Sequence, residues 1–191
     1  MSTIHTDLCV KTLNVFMGKL TIPTLDDVRS VLGGCYVGGT EMTATHEQPD
    51  VYGVTADGLS QNAEIKVSRA DFLRDFKKSH RMYALKGLIA GIGNYRWYAT
   101  LPDVIRPEDD LHGWGWLELI KNKLVIRRLS RHFKSDAEAE KALMVRLVRV
   151  LTTDNGKLGR KLTKTCGKST YSIKTWPRHI DFRNYETKHN R

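Results

Sequence analysis

Asp50, Glu64 and Lys66 are the residues of this 191-residue chain whose types and spacing suit the hydrolysis of a phosphodiester. That reaction needs a divalent cation to polarise the phosphate and to lower the pKa of the attacking water. A hard ion such as Mg²⁺ is held by one or two carboxylates, with waters completing the shell. Asp50 and Glu64 supply the carboxylates, and the backbone carbonyl of Ile65, between the two polar side chains, offers a third oxygen. Lys66 stands where an ammonium could orient or deprotonate the water, or meet the charge developing on the phosphate.

These residues need strands to position them. Asp50 to Val54 and Ala63 to Val67 are rich in β-branched and aromatic residues, and Asp57-Gly58 between them is a turn signal, so the stretch reads as a hairpin. Along the second strand Glu64 and Lys66 project from one face, while Ile65 and Val67 project from the other. Asp50 joins the polar face only if the register sets it opposite Glu64, which requires an odd-length connection. A two-residue turn at Asp57-Gly58 would set it opposite Ile65, so a longer or bulged turn is expected.

The flanking pattern is mixed. His5 to Met17 reads as a helix, and Thr24 caps a second helix running to Leu32. Cys35 to Thr45 reads as extended, interrupted at Gly38-Gly39. Ser68 caps a helix from Arg69 whose inner face is Phe72, Phe76 and either Leu73 or Ser79. Its outer face is cationic: Arg69, Arg74, Lys77, Lys78 and Arg81. Tyr83 to Ile92 is an apolar helical segment or a loop from Gly87. Tyr95 to Thr100 is a strand, and two more form a hairpin about Lys121-Asn122-Lys123. Asp136 to Leu151 is an amphipathic helix with Ala139, Leu143, Leu147 and Val150 inward.

Pro49-Asp50, thirteen intervening residues, then Glu64-Ile65-Lys66 resembles the PD-(D/E)XK nuclease superfamily. The continuation through Val67-Ser68-Arg69-Ala70-Asp71-Phe72-Leu73 and Asp75-Phe76-Lys77-Lys78 resembles its MmcB-like DNA-repair and phage-encoded members. Asn94-Tyr95-Arg96-Trp97-Tyr98 and Gly113-Trp114-Gly115 look like the same subgroup, and the likeness spans about residues 24–133. The resemblance implies an α/β, restriction-endonuclease-like core with a central mixed sheet flanked by helices. It also implies dependence on Mg²⁺, with Mn²⁺ substituting, and cleavage of DNA in degradation, repair or processing. Asp50, Glu64 and Lys66 would be catalytic, with Asp50, Glu64 and the Ile65 carbonyl on the metal. The superfamily often adds an upstream acid; Glu47 is the first choice, with Glu41, Asp26 and Asp27 also qualifying. Arg69, Lys77, Lys78 and Arg81 are candidate nucleic-acid contacts, Lys77 foremost, although Arg69 and Asp71 could instead form a local pair.

Composition agrees with a polyanionic partner. The net charge is +10, and the last 40 residues hold ten Lys and Arg against three Asp and Glu, a net +7. Tyr171, Trp176, Phe182 and Tyr185 there add anchoring or base-stacking surface. The chain thus divides into a core over 1–134 and an amphipathic helix plus basic region over 135–191. No apolar run reaches the roughly 20 residues of a membrane span, and no secretory signal is read at Met1 to Lys11, so a cytoplasmic protein is expected, in the host cytoplasm if phage-encoded. Cys9, Cys35 and Cys166 support neither a disulfide framework nor a zinc knuckle, and are expected to be buried or inert. The histidines lack metalloprotease spacing, and no phosphate-binding loop for a nucleotide cofactor is present. Two other readings stay open: a non-catalytic nucleic-acid-binding protein on a nuclease scaffold, and an interaction protein that inhibits another enzyme. Homodimerisation is open as well.

Overall fold

Alternation of short β-branched strands with amphipathic helices gives an α/β molecule, described here from a computed structural model. The structure describes residues 3–18, 32–42, 47–78, 83, 89–152, 162–166 and 169–173. The expected helix after Thr24, the acids Asp26 and Asp27, Arg81 and residues 84–88 of the segment 83–92 lie outside the described residues.

The strands are β1 (Cys35–Thr40), β2 (Val51–Thr55), β3 (Ser60–Lys66), β4 (Tyr95–Thr100), β5 (Gly115–Ile120), β6 (Lys123–Arg128), β7 (Leu162–Cys166) and β8 (Ser169–Ile173). They form one mixed sheet in the order β6-β5-β4-β3-β2-β1-β8-β7. β3 pairs parallel with β4 and β4 with β5, and the remaining pairs are antiparallel. Gly38-Gly39 does not interrupt β1. Beyond residue 135, β7 and β8 join the same sheet, because β8 pairs with β1.

Among the described residues three helices cover the sheet: α1 (Thr3–Met17), α2 (Arg69–Asp75) and α3 (Ala137–Thr152). On one face, Leu8, Cys9, Leu13 and Phe16 of α1 pack on Val51, Ala63, Ile65, Trp97, Ala99 and Leu117. Burying each large apolar side chain contributes about 1.5–3 kcal/mol. Gly38 lets α1 come this close, since a Cβ there would sit 2.7 Å from the Tyr52 carbonyl oxygen and 2.9 Å from Leu13 Cδ1. On the opposite face α3 sets Ala139, Leu143 and Leu147 against Met42, Tyr52 and Ile92. Its first turn is capped by Asp136, whose Oδ1 accepts from Ala139 N at 3.0 Å.

α2 shares that second face. Ser68 Oγ accepts from Asp71 N at 3.2 Å, so the predicted cap forms. Phe72 meets Phe76 and Tyr98 edge-on, and Tyr98 stacks on Trp114, giving an aromatic cluster that also takes in Trp116. Leu73 is exposed, so it is not part of the inner face; Asp75 takes that place. The β5–β6 hairpin turns at Lys121-Asn122, both with positive φ (45° and 66°), as a twist-matched two-residue turn requires.

Candidate functional site

The expected register is present. Val51 pairs with Ala63 and Val54 with Ser60, so the connection is the five residues 55–59 and the next step sets Asp50 across from Glu64. Thr55 builds this longer turn. Its N–H donates to the Leu59 carbonyl at 2.9 Å, its hydroxyl reaches Asp57, and Gly58 adopts φ 85°.

Pro49 accounts for the position of the Asp50 side chain. Continuing the ladder would pair residue 49 with Ile65, but proline has no N–H, and its carbonyl turns to Met42 N at 3.1 Å. The Ile65 N–H donates instead to Asp50 Oδ2 at 2.8 Å. The N–H and C=O of one strand residue face the same neighbour, so the Ile65 carbonyl also points toward Asp50. A proline followed by an aspartate thus ends β2 and leaves a carboxylate and a backbone carbonyl together at the sheet end.

Lys66 lies between two carboxylates. Its Nζ is 3.1 Å from Glu64 Oε2 and 3.1 Å from Asp75 Oδ1. All three residues are at most 4% exposed. Asp75 is held further by the Tyr98 hydroxyl, which donates to Oδ2 at 3.3 Å, and by Lys78 at 2.7 Å. Asp75 is therefore part of the site, although sequence reading passed over it. The available signal was a charged residue three positions after Phe72, on a stripe that should be apolar.

α1 closes the other side. His5 Nε2 is 3.7 Å from Asp50 Oδ2, and His5 Nδ1 is 3.4 Å from Glu41 Oε1. Asp50 is the main cause holding the His5 pKa above its usual 6.5; burial opposes this, Glu41 adds to it and Lys66 detracts. The Cys9 thiol lies 3.6 Å from His5 Nδ1 and 3.9 Å from Glu41 Oε1. Burial, then the negative charges of Asp50, Glu41 and Glu64, push its pKa strongly upward, so it is a thiol at neutral pH. His5 and Cys9 were not singled out from the sequence as site residues, yet their spacing of four places them on one helix face. Glu41 had been only one of several qualifying acids; it stands directly across β1 from Asp50, donating its N–H to the Asp50 carbonyl at 2.8 Å.

The other expected residues are placed as follows. Glu47 is buried, and its Oε2 accepts from Ile92 N at 2.7 Å beside Gly91 and the Arg96 guanidinium. It is thus committed to the loop before β4, not to the group around Lys66. Arg69 does not pair with Asp71. It forms a two-pronged pair with Asp109, NH2 to Oδ1 at 2.8 Å with NH1 on Oδ2, and donates to the Val104 carbonyl at 3.2 Å. Its guanidinium therefore clamps α2 to the loop after β4, which holds the Asp109 carboxyl below its usual 3.8. Asp71 instead faces Arg74 at 3.7 Å. Lys77 and Lys78 are exposed just past α2, Lys78 on Asp75. Trp114 and Trp116 pack in the core, Trp116 Nε1 donating to Thr100 Oγ1 at 3.0 Å.

The donor set fits a hard divalent cation. Glu64 and Asp75 meet on Lys66, while Asp50 and Glu41 meet on His5, and Asp50, Glu64 and the Ile65 carbonyl are all oxygen donors. Among the described residues no helix is long and apolar enough to cross a membrane.

No family model matches the chain, and no curated protein matches it. Among solved structures it is similar to SPO1766, a protein of unknown function from Silicibacter pomeroyi, at 22% identity over 64% of this chain and 84% of that chain, with a TM-score of 0.43.

Proposed function

We propose that the protein is a metal-dependent nuclease that hydrolyses phosphodiester bonds in DNA. The observation that carries this reading is the convergence of Asp50, Glu64 and Lys66 at one sheet end, with the Ile65 carbonyl aimed toward Asp50. Mg²⁺, or Mn²⁺ in its place, would be held by Asp50, Glu64 and that carbonyl. The bound ion would polarise the scissile phosphate and acidify a water. Lys66 supplies positive charge beside the scissile phosphate. Asp75 positions Lys66, and is itself steadied by Tyr98 and Lys78. The exposed Lys77 is suited to the DNA backbone, and the +7 of the last 40 residues adds sequence-independent affinity.

The test is incubation of supercoiled, linear and branched DNA with Mg²⁺, Mn²⁺ or EDTA, with Glu64→Gln and Lys66→Met alongside. Metal-dependent cutting that falls by more than about 100-fold in both variants is expected, the scale on which transition-state charge stabilisation is lost. Undiminished cutting in both variants would sink the reading. DNA bound in a salt-dependent manner but left uncut with Mg²⁺ and with Mn²⁺ would favour a non-catalytic DNA-binding scaffold.

A further inference from the structure

We infer that His5, Cys9 and Glu41 form a second metal site, selective for a borderline-soft divalent ion of the zinc class. It holds whatever reaction the group around Lys66 performs. Among the described residues these three offer one nitrogen, one sulfur and one oxygen ligand atom, all within 4.8 Å of one another.

The separations are those of metal ligands. With Zn–S near 2.3 Å, Zn–N near 2.05 Å and Zn–O near 2.0 Å, tetrahedral angles place N and O about 3.3 Å apart, S and N about 3.6 Å, and S and O about 3.5 Å. The corresponding distances are 3.4, 3.6 and 3.9 Å. A histidine directly hydrogen-bonded to a carboxylate would sit closer, near 2.8 Å. The three atoms therefore surround a point at bonding distance from each.

Backbone geometry supports the arrangement. Regular alternation along β1 would point Glu41 to the face of Val37, which packs against the α3 cluster. Glu41 adopts φ 54°, a left-handed conformation uncommon outside glycine, and its carboxylate reaches His5 and Cys9 of α1 instead. Beyond the ligands, a carboxylate, Asp50 Oδ2, lies 3.7 Å from His5 Nε2, the ring nitrogen the metal would leave free, at a separation longer than a hydrogen bond. A thiolate ligand selects zinc, cobalt or similar ions over Mg²⁺. Binding is the exchange Cys–SH + M²⁺ → Cys–S–M⁺ + H⁺, with the proton passing to solvent. Three protein ligands leave a fourth position for water.

Co²⁺ is the probe, because a cobalt–thiolate bond gives a sulfur-to-metal charge-transfer band that oxygen and nitrogen ligands do not. The reduced full-length protein should develop that band with a single equivalent of Co²⁺ and lose it when Zn²⁺ is added, but not when Mg²⁺ is. Cys9→Ser should abolish the band, and His5→Gln should weaken Zn²⁺ binding by more than about 100-fold, beyond the loss of an outer-shell partner. Asp50→Asn, acting through His5, should weaken it by about 10-fold. Glu64→Gln should leave it unchanged, so this site and the nuclease reading can fail separately. A folded wild-type protein without the band would overturn the inference, as would a band that survives Cys9→Ser by arising at Cys35 or Cys166. If Cys9→Ser does not fold, His5→Gln decides, and Zn²⁺ affinity within 10-fold of wild type refutes the site.

Discussion

At the scale of single residues, the buried group Glu64–Lys66–Asp75 is asymmetric, and mutation should expose that asymmetry. Lys66→Met leaves two carboxylates facing each other in the interior and should cost about 3–5 kcal/mol. Glu64→Gln keeps Lys66 on Asp75 at 3.1 Å and should cost about 1–3 kcal/mol. Urea denaturation of the two variants, read as midpoint times slope, checks the order; equal losses would mean that Lys66 does not bind the two acids together. The same residues mark how far the sequence could be read. Glu64 and Lys66 were legible because strand alternation is local, and Asp50 was legible conditionally, through the parity of the Thr55–Leu59 connection. Asp75, His5 and Cys9 arrive from helices whose distance from the site depends on packing. No spacing within β2 and β3 could announce them. Glu47, attractive because it lies three residues before Asp50, is diverted by the N–H of Ile92, 45 residues away.

At the scale of elements, two contacts fix helices to the sheet. α2 is tied to the loop after β4 by Arg69 and Asp109. Because that pair lowers the folded-state pKa of Asp109 below 3.8, its stabilisation is complete above that value and is lost as pH falls through the lower folded one. Asp109→Asn should therefore be less stable than wild type at neutral pH, with the gap closing below pH 3.8. Thermal denaturation across pH 2–7 would show it, and a gap independent of pH would mean that the charge on Asp109 is immaterial. α1 is seated over Gly38. Gly38→Ala would set a methyl 2.7 Å from a backbone oxygen, which cannot rotate away as the Leu13 side chain can. The cost should be about 1–3 kcal/mol by overpacking, measured by chemical denaturation. No loss would show that β1 and β2 can shift apart to admit the methyl. The Arg69–Asp109 clamp illustrates what element-level reading leaves out. A cationic helix face suggests phosphate contacts, but the partner that claims Arg69 lies 40 residues further on, in a loop without periodicity. The capped start of α2, set by Ser68 and Asp71 alone, was readable.

At the scale of the whole molecule, charge and fold are distributed differently along the chain. The sheet and its helical layers account for the position of the site; β7 and β8 are strands of that same sheet, and α3 packs on its face. Much of the positive charge, however, lies late in the sequence. Residues 174–191 hold five Lys and Arg (Lys174, Arg178, Arg183, Lys188 and Arg191) against Asp181 and Glu186. If these cations neutralise DNA phosphates, each contact releases counterions and adds about 0.9 to the slope of log K against log salt. Deleting 174–191 should then reduce that slope by as much as about 4.5 and weaken duplex binding most at low salt. In the proposed nuclease the chemistry is assigned to Asp50, Glu64 and Lys66, so the deleted form should still cut DNA in Mg²⁺ when DNA is saturating. Fluorescence anisotropy across a salt series separates the contributions. A slope unchanged by the deletion but lowered by about 0.9 in Lys77→Gln would move the DNA-binding surface from the basic C-terminal residues to the end of α2.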